Sequence, residues 1–79
     1  MENELRKVVC DQLNILDVDY HDDLTAGDIP AWDSLGHVNL LMAVEKHFRI
    51  SFDISDSIDI ETISDLVDIT KHYLAQKGE

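Results

Sequence analysis

Cysteine and basic residues are scarce in this chain of 79 residues, and each scarcity removes a class of function. A single cysteine, Cys10, can close no internal disulfide, and without a Cys or His partner at ligand spacing it makes no metal site. Six Lys and Arg stand against seventeen Asp and Glu, a formal charge of −11. Such a chain repels nucleic acid and anionic membranes and attracts basic protein surfaces, so no nucleic-acid partner is expected. No apolar run approaches membrane-spanning length, and Met1-Glu2-Asn3-Glu4 lacks the basic and then apolar order of a signal peptide. The expectation is a cytoplasmic protein with no membrane insertion. The length predicts one domain over residues 1–79, able to bury a modest core but too small to wall a deep catalytic cleft. An enzyme acting alone is therefore not expected, and no catalytic residue is assigned.

What the chain does contain is helical periodicity. Leu5, Val8, Val9, Leu13 and Leu16 recur on one stripe, predicting a first helix over residues 3–16. Cys10 lies well round from that stripe. A reactive thiol needs an electropositive setting, so an ordinary, partly exposed cysteine is expected there. From Asp17 to Asp33 there are six aspartates and no Lys or Arg, and Gly27 and Pro30 interrupt any helical run. This segment reads as a long loop, pinned across the helix ends by Leu24, Ile29 and Trp32. Asp17, Asp19 and Asp23 have calcium-loop spacing, but Asp22 stands where the EF-hand turn needs Gly and Asp28 where it needs Glu. No metal site is assigned.

The loop ends in Trp32-Asp33-Ser34-Leu35-Gly36-His37, the start of the most regular helical pattern in the chain. Asp33 is suited to cap the free N–H groups of a helix start. Ser34 then occupies the first helical position, where its hydroxyl points outward and an attached phosphate would meet the positive end of the helix dipole. An ordinary serine beside a cap fits the same residues. The second helix, roughly 34–48, carries two apolar stripes. Leu40, Leu41, Val44 and Phe48 form one, with His37 among them, and Leu35, Val38 and Met42 lie nearly opposite. The first is expected to face the core and the second to be a partner surface; a helix buried all round is the alternative. His37 follows Ser34 by three residues, but a nucleophile and base need an orienting group and an oxyanion site as well. It is expected to pack near the helix start and hydrogen-bond the loop.

Beyond Phe48, Ile50 and Phe52 should tuck inward from a brief extended turn, followed by a short third helix over Ser55 to Asp59. Thr62 with Asp65 resembles a capping box. Ile63, Leu66, Val67, Thr70, Tyr73 and Leu74 then form the inward stripe of a last helix ending near Gln76, before Gly78. Residues 50–68 hold six acids and no base, which reads as a solvated face. Repeats and low-complexity tracts are absent.

Asp33-Ser34-Leu35, followed by Val38, Leu40, Met42, Glu45 and Phe48 and then by Ile50, Phe52, Ile60 and Ile63, resembles the acyl carrier protein signature. The resemblance implies an all-α, small four-helix bundle with a long loop between helices 1 and 2 and a short third helix. It implies 4′-phosphopantetheine on Ser34, donated from coenzyme A by a phosphopantetheinyl transferase with Mg²⁺, Asp33 helping to hold the metal. Acyl groups would ride on this arm as thioesters, a division of labour that leaves the protein positioning and recognition. Acyl-loading, condensing or modifying enzymes with basic patches would dock on Leu35, Val38, Met42 and Glu45 of a monomeric carrier. The second helix departs from the strongly acidic one of fatty-acid carriers, having only Glu45 beside Lys46 and Arg49, with His37 and Asn39. The Trp-Asp-Ser-Leu-Gly-His form is more similar to stand-alone carriers of specialised pathways, such as polyketide-type assembly. An aminoacyl or peptidyl carrier, or an acidic helical adaptor without a prosthetic group, stands as the alternative.

Overall fold

The computed structural model describes residues 1–77 as four helices, with no strands among the described residues. They are α1 (Glu2–Leu13), α2 (Ser34–Phe48), α3 (Ile54–Ile58) and α4 (Ile63–Gln76). Gly78, expected just past the last helix, lies outside the described residues. α1 and α2 pack against each other, and both stop by the same device. Asn14 and Arg49 adopt left-handed backbone at φ 55° and 57°, and their N–H groups return to Cys10 O and Glu45 O. The following residues, Ile15 and Ile50, donate to those same carbonyls, which turns the chain sharply inward.

This early stop corrects the sequence expectation for α1. Leu16 lies outside the helix and is 68 % exposed, because the turn at Asn14 sends Ile15 toward the core in its place. α3 likewise runs one residue earlier than expected, over Ile54–Ile58. The other helix assignments hold. Leu5, Val9 and Leu13 of α1, Leu40, Leu41, Val44 and Phe48 of α2, and Ile63, Leu66, Val67 and Thr70 of α4 are buried together, with Tyr73 and Leu74 half-buried at the edge. Thr62 and Asp65 form the expected reciprocal cap: the hydroxyl accepts the Asp65 N–H, and the carboxylate accepts the Thr62 N–H, each at 3.1 Å.

The long loop contains two short 3₁₀ turns, Asp17–Asp19 and Ala26–Asp28, and is fastened at both ends. At its start, the Arg6 guanidinium pairs with Asp17 at 2.6 Å and lies 5.1 Å over the Tyr20 ring. Farther on, Ile63 and Ser64 at the head of α4 donate to Leu24 O and Asp22 O, both at 3.0 Å. Leu24, Ile29 and Trp32 are buried as expected, and they carry the loop over the core to the start of α2. Among the described residues, no helix is long and apolar enough to cross a membrane.

Candidate functional site at the start of the second helix

Asp33 caps α2 from extended backbone. Its Oδ1 accepts the Gly36 N–H at 2.8 Å, and its carbonyl accepts the His37 N–H at 2.8 Å. The cap thus holds the first turn without drawing on Ser34, whose side chain is exposed. Only one carboxylate oxygen of Asp33 is used in the cap, and this residue is exposed as well. Behind Ser34 lies a shallow hollow of about 350 Å³, lined by Ala26, Trp32, Asp33, His37 and Ile60 together with Ser34 itself. The first turn of this 15-residue helix carries no acid, so its dipole meets an incoming phosphate unopposed from within the helix.

Gly36 allows the loop to approach this closely. A Cβ at this position would sit 1.9 Å from the carbonyl oxygen of Ala31, well inside contact distance. A glycine in the first turn of a strongly periodic helix is a poor choice by propensity, and that was the available sign of a close approach.

His37 does not serve Ser34 as a base. The Trp32 indole Nε1–H points at His37 Nδ1 at 2.9 Å, and His37 Nε2 lies 3.0 Å from the Ser57 carbonyl oxygen of α3. Both ring nitrogens are therefore occupied. The expected bond to the loop is present, and the bond to α3 is an addition that no pattern in the sequence indicated.

On the opposite side of α2, Leu35, Val38 and Met42 are 70, 52 and 60 % exposed, which excludes a helix buried all round. The apolar surface continues onto α3 through exposed Ile54, and Ile58, four residues on, is exposed as well. A groove of about 190 Å³ between the two helices is lined by Val38, Leu41, Met42, Glu45, Phe52, Ile54 and Ser57. The two isoleucines were missed in the sequence, although their i, i+4 spacing in a short acidic helix was a usable signal. Glu45, taken in the sequence as a docking residue, is half-buried and accepts the Phe52 N–H at 2.8 Å, so it braces the turn between α2 and α3.

Elsewhere the acids have local duties. Asp17 is paired with Arg6, and Asp28 accepts the Thr25 N–H and hydroxyl. Among the described residues, no three His, Cys, Asp or Glu side chains converge in a way that could hold a metal. Burial and the neighbouring Asp17 carboxylate push the Cys10 thiol up from its ordinary pKa, leaving it un-ionised and weakly nucleophilic at neutral pH.

No family model matches the chain. It is 28 % identical over 75 residues to the acyl carrier protein of Buchnera aphidicola subsp. Baizongia pistaciae, covering 94 % of this chain and 95 % of that one. Over 46 residues it is 37 % identical to acyl carrier protein 3 of Ralstonia nicotianae; that match spans 58 % of this chain and only about half (53 %) of the relative. The solution structure of holo acyl carrier protein from Geobacter metallireducens superposes with a TM-score of 0.84 at 29 % identity, covering 95 % of this chain and 86 % of that chain.

Proposed function

We infer that this chain, a member of the acyl carrier protein family, carries acyl intermediates between enzymes on a 4′-phosphopantetheine arm attached to Ser34. It is a carrier and not an enzyme. The observation that carries the attachment site is the exposed Ser34 hydroxyl at the head of a capped helix, in the form Asp33-Ser34-Leu35. The residues fit such a group: a phosphodiester on Ser34 would lie at the positive end of α2, beside the hollow lined by Trp32, His37 and Ile60. When bound, the arm supplies the thiol that holds an acyl group as a thioester. Asp33 and Gly36 fix the first turn, so Ser34 is presented in one orientation. The carboxylate oxygen of Asp33 that the cap does not use would help to hold the metal of the phosphopantetheinyl transferase during loading.

Leu35, Val38 and Met42, extended by Ile54 and Ile58, form the surface on which partner enzymes dock. Electrostatic attraction to basic partner patches comes chiefly from the loop of residues 17–33 and from residues 50–68, since α2 offers only Glu45 and uses it internally. On this reading the carrier acts as a cytoplasmic monomer, and its near-neutral α2 supports a stand-alone carrier of a specialised pathway over one of primary fatty-acid synthesis.

Coexpression with a broad-specificity phosphopantetheinyl transferase, followed by intact-protein mass, tests this reading. Wild type should gain the arm and Ser34→Ala should not, while the variant keeps its fold because Asp33 supplies the cap. A Ser34→Ala protein that still gains the mass, or a wild type that no competent transferase modifies, refutes it.

A further inference from the structure

We propose that His37 is a positioning residue: its neutral ring clamps the end of α3 to the first turn of α2, and so sets the docking surface in place around Ser34. An indole N–H can only donate, and a carbonyl oxygen can only accept. Trp32 Nε1–H at 2.9 Å therefore requires Nδ1 of His37 to be bare, and Ser57 O at 3.0 Å requires Nε2 to carry the proton. One tautomer meets both demands, and neither the opposite tautomer nor the imidazolium does. The Trp32 and His37 rings lie within 21° of parallel with centroids 6.2 Å apart, the side-by-side placement that a hydrogen bond in the ring planes requires. The bond to Ser57 matters because α3 has five residues and none of them is buried, so burial does not hold it in place. At its other end Tyr73 accepts the Asp53 N–H and donates to the Asp56 carboxylate, while Glu45 holds the Phe52 N–H. The His37 bond completes this set at the C-terminal half of α3, next to Ile54 and Ile58. With that half released, the α3 part of the apolar surface loses its fixed place beside Val38 and Met42, whereas Ser34 stays held by the Asp33 cap.

The inference rests on the carrier reading, and two half-clamps test it on the full chain. In His37→Gln the amide nitrogen reaches where Nε2 stood and keeps the donor to Ser57. In His37→Asn the amide oxygen reaches where Nδ1 stood and keeps only the acceptor for Trp32. With the apo chain as the protein substrate of a phosphopantetheinyl transferase, His37→Asn should raise KM roughly five-fold, the size of one net hydrogen bond, with kcat unchanged. His37→Gln should keep a near-wild-type KM although it also loses stability. Amide exchange at Ser57 and Asp59 should quicken in the Asn variant and not in the Gln variant. In the wild type, ¹⁵N NMR should find His37 protonated on Nε2 and bare on Nδ1. Equal KM values for the two variants, or a proton on Nδ1 in the wild type at neutral pH, overturns the proposal. Should the Asn variant fail to fold, the wild-type tautomer alone decides. A wild type that is never loaded condemns the carrier reading instead, and the tautomer and the exchange at α3 still test the clamp.

Discussion

At Gly36, one hydrogen atom decides how the loop meets α2. Alanine there would improve helix propensity by about 1 kcal/mol. It would also place a methyl carbon 1.9 Å from the Ala31 carbonyl oxygen, and neither the loop backbone nor the helix can yield easily. Overpacking of this kind costs about 1–3 kcal/mol, so Gly36→Ala should be net destabilising. Urea unfolding measures the loss, and slower phosphopantetheine transfer should accompany it because the Asp33 cap moves with Ala31. A Gly36→Ala protein at least as stable as the wild type would show that the loop does not press on this turn. Ser34, two residues earlier, is the opposite case: it is exposed and its side chain takes no part in the cap, so its replacement should alter loading and leave the fold alone.

At the scale of the helix, α2 divides residues of one chemical kind between two duties. Leu40 is fully buried in the core shared with α1 and α4, and truncation to Ala should open a cavity and cost about 2–5 kcal/mol. Met42 is 60 % exposed, so Met42→Glu should shift the unfolding midpoint by no more than about 0.5 kcal/mol of stability. Its effect should instead be on partners, because the new carboxylate would be buried without a counter-ion when an enzyme docks. Thermal melts paired with a loading or acyl-transfer assay separate the two. A Met42→Glu variant that loads and transfers normally would remove this face from the docking surface. The faces of α2 were legible in the sequence because a period of 3.6 residues fixes which side chains share a side. The end of α1 was not, because it depends on Asn14 entering left-handed backbone, which any of several polar residues near that point could have done.

For the molecule as a whole, the acidic surface and the fastened loop make alkali a sharper threat than neutral pH. Burial pushes the Tyr20 phenol up from 10.0 to about 12, and the Asp22 charge adds to it, while Arg6 acts in the opposite sense. The folded state therefore holds this proton more tightly than the unfolded state does. The resulting stability is fully present below pH 10 and is lost as pH rises toward about 12. Urea midpoints should fall between about pH 10 and 12, and Tyr20→Phe should fall less steeply over that window. Equal slopes for the two proteins would mean that Tyr20 is not held un-ionised in the fold.

By itself the sequence determined four helices, the two faces of α2, the capping roles of Asp33, Thr62 and Asp65, and the exposed serine at the head of the longest helix. Each of these is written in neighbours three or four residues apart, and local backbone geometry turns such spacing into contact without help from the rest of the chain. Only the tertiary structure decided what lies across from those residues. It brought Ser57 to His37 from twenty positions along the chain, Ala31 against Gly36, Phe52 N–H to Glu45, and Ile54 beside Val38 and Met42. A side chain such as Glu45 or His37 looks free for a partner when read along one helix. Whether the fold has already claimed its hydrogen bonds depends on where the chain returns after its turns, and those turns are set by the packing of the core.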